Sequence, residues 1–167
     1  MARLLFPMSL LSLLCVGAIF GFFYAWVCST MWGLDSASPE VAIAAMQAMN
    51  ASVRNAVFFP AFFLTPAFLA TTALIAAKSG RRASALWFGA GAATYLAGAF
   101  LVTAAFNVPM NEALALVAIP QDAGAAARVW RDYSQPWQFW NLVRTIASGG
   151  ALLFNGIAIL QLERKTT

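Results

Sequence analysis

Long apolar runs broken by short polar clusters set the layout of this chain. The runs lie at about 4–32, 57–77, 84–106 and 141–161. Each is long enough, at about 1.5 Å per helical residue, to cross about 30 Å of hydrocarbon. The pattern predicts an all-α membrane protein, a bundle of four transmembrane helices forming one domain over 1–167. The first run exceeds the usual apolar core of a signal peptide, and no small-x-small site closes it. It is expected to be a retained helix.

The connections carry their own signals. Ser38 before Pro39 reads as an N-cap with proline at the first helical position, and Glu40 suits the positive end of a helix dipole. They open an additional amphipathic helix over 41–55 in the first non-cytoplasmic connection. Gln47, Asn50 and Arg54 share one of its faces, and Ala45, Met46, Met49 and Val53 another. This helix is expected on the membrane surface or over the mouth of the bundle. Pro66 predicts a kink or freed carbonyls inside the second span. Pro109 is expected to break or restart the helix after the third span. Residues 113–135 are expected to be a second long, partly helical connection punctuated by Pro120 and Pro136.

Small residues suggest how the helices pack. Ala85, Gly89, Ala93 and Ala97 recur every fourth residue and predict a packing face, with Gly91 and Gly98 adding close approach. Gly17 and Gly21 form a GxxxG step. Cys15 and Cys28 lie 13 residues apart in one run, too far to pair on a straight helix, and are expected to be buried thiols.

Composition sharpens the assignment. The chain is 62% hydrophobic and 10% charged, against about 25% charged in a soluble domain. The net charge of +4 does not argue for nucleic acid, because the cations sit at the ends of apolar runs. Arg3, the Lys78–Arg82 loop, Arg164 and Lys165 fall on one side of a four-span topology, and five of the six acids on the other. The positive-inside rule then expects both termini in the cytoplasm, in a multi-pass protein of a bacterial inner membrane. The chain has no histidine, which removes imidazole-based triads, histidine-held haem and the common zinc sites. Met46 and Met49 are three apart and could bind a soft ion, but methionine on an apolar face usually serves packing. No metal and no cofactor are expected.

The polar clusters remain. Trp137, Asn141, Arg144, Ser148 and Asn155 fall on one face of the last span. An arginine there costs roughly 2.5–3.5 kcal/mol at mid-span, so it must snorkel or find partners within the protein. Asn50 with Arg54, and Asn107 with Asn111, are placed by the topology at the same non-cytoplasmic interface as Trp137, Asn141 and Arg144. Three sequence-distant polar clusters at one level predict one site between helices.

The elements Met46-Gln47-Ala48-Met49-Asn50, Asn107-Val108-Pro109-Met110-Asn111 and Trp137 to Arg144 resemble, in order and spacing, the anthrone oxygenase family of small four-span membrane proteins. The resemblance covers nearly the whole chain. It implies that Asn50, Asn107, Asn111, Trp137, Asn141 and Arg144 are the positions to carry over. It also implies oxidation of an anthrone by O2 without a cofactor. Such a reaction needs a flat apolar slot, for which Trp137, Trp140, Phe58, Phe59, Phe62 and Phe106 are candidates. It needs donors facing an enolate or peroxide oxygen, the role expected of Arg144 and Asn141 with Asn107 and Asn111. Glu112 is the one acid inside a motif and the candidate base, unless it pairs with Arg54 or Arg144 or faces water, and substrate-assisted or water-mediated deprotonation is equally open. Asn50, Arg54, Asn107, Asn111, Trp137 and Trp140 are expected to bind the substrate.

The expected partners are the lipid bilayer, a hydrophobic small molecule and O2, with no nucleic acid. Helix–helix homo-oligomers are compatible with the small-residue stripes. The competing function is non-enzymatic: a small-molecule binder or a subunit in which the Asn and Arg clusters are interhelical glue worth about 0.6 kcal/mol per hydrogen bond. That alternative predicts no cavity at their level.

Overall fold

The computed structural model describes residues 2–163, and every element among them is a helix. Helix α1 runs over Ala2–Ala25, passes through a π-helical turn at Trp26–Thr30 and ends with Met31–Asp35. Helix α2 is Pro39–Ser52, and α3 is Phe58–Lys78. Helix α4 starts at Arg82–Tyr95, continues through π-helical turns at Leu96–Leu101 and Thr103–Asn107, and finishes as Val108–Ala115. Helix α5 is Ala123–Glu163. Four helices, α1, α3, α4 and α5, are long and apolar enough to cross a membrane, so the chain is a multi-pass membrane protein. Arg164 and Lys165 lie outside the described residues.

The four long helices close a ring in which α1 packs on α3, α3 on α4, α4 on α5 and α5 on α1. Two cores form along it. The first fills the membrane part with Val16, Ile19, Phe23, Phe62, Leu69, Phe88, Tyr95, Ala99 and Ala151. Leucines such as Leu14, Leu74, Leu86 and Leu153 turn outward on the same helices, as a surface facing lipid requires. The second core caps one end, where Ala42, Ile43 and Met46 of α2 pack on Trp26, Met31, Leu114, Trp130, Tyr133 and Trp137. Helix α2 therefore lies over the bundle mouth, and its polar residues reach other elements. Gln47 donates to the carbonyls of Leu114 and Val117, at 2.9 and 3.0 Å, and ties down the end of α4.

Local signals explain the helix ends. Ser38 takes the N-cap position with extended backbone and Pro39 follows, but its hydroxyl makes no capping bond. The Asn55 carboxamide accepts from the amides of Val57 and Phe58 at 2.8 and 2.9 Å and opens α3. Gly80, at φ 76°, closes α3, with the Arg81 amide bonded to the Ala76 carbonyl at 2.9 Å.

Prolines break fewer helices than the sequence suggests. Pro66 removes the amide that would bond to the Phe62 carbonyl, and the Tyr95 hydroxyl of α4 donates to that carbonyl at 2.9 Å. Of the two outcomes expected for Pro109, a break or a restart, the structure shows the restart. The proline enters the first turn of the α segment that resumes after the second π turn, where its missing amide costs little. Pro136 lies inside α5 on an exposed face with Asp132, whose carbonyl it leaves unpaired within the helix. The expected connection at 113–135 is therefore mostly helix, and α5 is 41 residues long. At about 1.5 Å per residue it spans about 60 Å, twice a bilayer's hydrocarbon, so its first half stands clear of the membrane.

The small-residue expectations need correction. Ala93 and Ala97 are exposed and Gly89 has open space around it, so that stripe is not an internal packing face. Ser84, Phe88, Gly91, Tyr95 and Ala99 turn inward instead. Gly91 lies against the Ala151 carbonyl, and Gly98 lies so near Ala147 that a Cβ there would collide with it. Gly21 has nothing nearby, so the GxxxG step mediates no close crossing in this chain. Cys28 is exposed and Cys15 half-buried, and neither is paired.

Candidate functional site

The site lies where the two cores meet, at the end of the bundle away from the turn at 79–81. All three π-helical turns flank it or lead into it. Such turns insert a residue into an α-helix and re-aim the side chains beyond it. Here Trp26 and Asn107 are buried in the bundle, and Thr103 lies within hydrogen-bond reach of Arg144.

The polar clusters meet in a chain of hydrogen bonds. The Asn50 amide donates to the Tyr133 hydroxyl at 3.3 Å, and Tyr133 donates to Oδ1 of Asn111 at 2.8 Å. The Trp137 indole donates to the same oxygen at 2.9 Å. Asn107 donates to the Trp137 carbonyl at 3.3 Å, and Asn141 to the Phe23 carbonyl at 3.1 Å. Arg144 donates to Oδ1 of Asn141 at 2.8 Å and to the Thr103 hydroxyl at 3.3 Å. Its guanidinium lies 4.4 Å from the Phe23 ring centre and 5.2 Å from that of Trp137.

Arg144 is only 5% exposed, and among the described residues no carboxylate pairs with it. Its Nε and the Oδ1 of Asn107 are buried without a partner. A cation so placed keeps an electrostatic demand for a negative group.

That group has a place to sit. A cavity of about 340 Å³ opens beside Arg144, within the size range of small-molecule sites. Phe22, Phe23 and Trp26 of α1 and Phe58, Phe59, Phe62 and Phe63 of α3 form its aromatic walls. Asn50, Thr103, Asn111, Trp137 and Arg144 form its polar floor. Arg54 and Glu112 stand at its mouth, joined as an ion pair, each about half exposed.

The expected residues thus separate. Asn50, Arg54, Asn111, Glu112, Trp137 and Arg144 line the cavity. Asn107 and Asn141 are buried behind it and brace its wall. Trp140 is not among the lining residues. It stacks on Phe106 at 3.6 Å between ring centres, and neither ring forms part of the slot. Tyr133, Thr103 and Phe23 are participants that the motifs do not name. Tyr133 lies four residues before Trp137, on the face already carrying Asn141 and Arg144, so an earlier start to α5 would have revealed it. Among the described residues no three Cys, Asp or Glu side chains gather where they would hold a metal ion.

In comparisons with known proteins, the family model for anthrone oxygenase matches residues 49–154, which include every residue lining the cavity from α3, α4 and α5. No curated protein and no solved structure matches the chain.

Proposed function

The chain belongs to the anthrone oxygenase family, and on that premise we propose that it is a membrane-embedded oxygenase acting on a flat, acidic, hydrophobic anthrone-like ketone or phenol. One observation carries the reading: a buried arginine without a carboxylate forms the floor of an aromatic-walled cavity. The non-enzymatic alternative, in which the polar residues only hold helices together, predicts no cavity at that level.

The chemistry follows from the substrate's acidity. An anthrone loses a methylene proton to give an aromatic enolate, whose oxygen carries the negative charge. Arg144 stabilises that oxygen, with the Asn111 carboxamide beside it. The electron-rich carbon adds O2 and becomes a peroxide. Protonation and loss of water then leave the second carbonyl, so one anthrone and one O2 give one anthraquinone and one water. Aromatic walls hold the ring flat and exclude bulk water. Two acceptors for the methylene proton fit the cavity: the Glu112 carboxylate, and water entering past the Arg54–Glu112 pair. By the charge asymmetry of the sequence, the site opens on the side opposite the cytoplasm, with both termini cytoplasmic.

The test is oxygen uptake with an anthrone, using membranes carrying the wild-type chain, the Arg144→Ala chain or an empty vector, since anthrones autoxidise. Uptake above the vector blank, lost in Arg144→Ala present at the same level, supports the reading. No uptake above the blank from folded protein removes anthrone oxidation.

A further inference from the structure

Beside the cavity lies a second hollow of about 440 Å³, between α1 and α3. Its floor is small and apolar, with Ala18 on one helix and Ala61 on the other. Ser52 and Asn55 border it at the polar end. The two hollows share Phe22, Trp26, Met49, Val53 and Phe58, so only side chains divide them. The Phe22 and Phe58 rings form the centre of that divide, 4.8 Å apart.

The second hollow is open along its length. Ala18 is exposed at its edge, and the exposed Leu64 follows Ala61 one turn further along α3, toward the middle of the membrane. The opposite flank of α3 differs. There Phe62, Phe63 and Phe100 pack ring against ring at 5.3 to 5.6 Å and fill the space between α3 and α4 below the cavity. The alanine-floored groove therefore gives a ligand larger than the cavity a way to extend into lipid. The water side carries the Arg54–Glu112 pair and the cap formed by α2.

We propose that the natural ligand is a membrane-dissolved amphiphile: an acidic aromatic ring in the cavity, bearing an apolar chain that leaves between α1 and α3 through this groove. The proposal rests on the cavity being the ligand site. The groove adds no hydrophobic driving force, since lipid tails are as apolar as its walls. Its role is permissive. It admits a chain-bearing ring that a closed pocket would reject, and it lets such a ring enter sideways from the bilayer.

The experiment measures binding to the full chain in phosphatidylcholine nanodiscs by quenching of tryptophan fluorescence. The probes are a dihydroxyanthraquinone and the same ring bearing a hexyl or a dodecyl chain, each corrected for its partition into empty nanodiscs. In the wild type the three probes bind within about threefold of one another, because the chain exchanges one apolar surface for another. In Ala61→Trp the bare ring keeps its affinity and the alkylated rings lose at least tenfold, with Ala18→Trp giving the same split from the other wall. Bare-ring binding in each variant reports its folding. The proposal is overturned if the wild type rejects alkylated rings, as when a lipid tail permanently fills the groove. It is also overturned if both variants leave alkylated binding intact, or if both weaken all three probes alike. Absence of bare-ring binding in the wild type strikes the cavity reading itself, a separate result.

Discussion

Replacing Arg144 by methionine separates a ligand site from interhelical glue, because the two readings predict opposite pairs of results. The change removes a charge-assisted hydrogen bond to Asn141 at 2.8 Å, an interaction of about 1.5–3 kcal/mol. It also removes two cation–aromatic contacts, at 4.4 and 5.2 Å, each roughly 0.5–2 kcal/mol. Against these stands the desolvation of a cation that is only 5% exposed and has no carboxylate partner among the described residues, a penalty of several kcal/mol that disappears with the charge. Methionine fills much of the same volume between the Phe23 and Trp137 rings. Global stability, followed by denaturant unfolding in mixed micelles, should therefore change by less than about 2 kcal/mol in either direction. Ligand binding should not be spared. An acidic hydroxyanthraquinone loses a buried counterion and one charge-assisted bond of about 1.5–3 kcal/mol, so affinity falls about tenfold to a hundredfold. In the wild type, affinity should rise as pH passes the ligand's own phenol ionisation, and in Arg144→Met that rise should flatten. A variant that unfolds readily yet binds the anionic ring as tightly as the wild type would refute the reasoning and make Arg144 a structural strut.

Further expectations follow from individual contacts. Tyr95→Phe leaves the Phe62 carbonyl opposite Pro66 without a donor and should destabilise by about 1–3 kcal/mol. In a Pro66→Ala background the helix supplies its own amide and the same change should cost well under half as much, measured as a double-mutant cycle. Asp35 accepts from Trp130, Ser134 and Gln138 at 2.8 to 2.9 Å and fastens the end of α1 to α5. Asp35→Ala should cost about 1.5–3 kcal/mol and speed proteolysis at the 36–38 turn. Gly98→Ala, which meets Ala147, should cost about 1–3 kcal/mol, while Gly89→Ala, with open space around it, should be neutral or stabilising in the same unfolding assay. Glu112→Gln should lower the rate of oxygen uptake by about a hundredfold or more if that carboxylate takes the methylene proton. A change below threefold would assign the proton to water.

Much of the architecture was written in the apolar runs, because a residue facing lipid must be apolar whatever its neighbours are. The amphipathic α2 was legible for a related reason: Ser38, Pro39 and Glu40 mark a start that needs no tertiary context. The first half of α5 was not. Its charges face water, Pro136 lies inside it, and what holds it helical is the packing of Trp130, Tyr133 and Trp137 on Met46 and Ile43, residues some 90 positions away. The same gap hid Tyr133. Small-residue spacing misled because Ala and Gly are tolerated on a lipid face as well as in a helix contact. The choice between them was made by Phe88 and Tyr95, which require the interior.

Asn107 and Asn111 mark where local reading ends. They stand one turn apart in one motif, are the same residue type and face the same way. Asn107 is fully buried against the Trp137 carbonyl, while the Asn111 oxygen gathers two donors at the wall of the cavity. What distinguishes them is the partner helix: α5 offers a backbone carbonyl at one level and two side-chain donors at the next. Whether a polar residue in a membrane helix is glue or a ligand contact is a property of the space across from it. Here that space is walled by Phe22, Phe23 and Trp26 of α1 and by Phe58, Phe59, Phe62 and Phe63 of α3, residues that only the assembled bundle brings opposite Asn111 and Arg144.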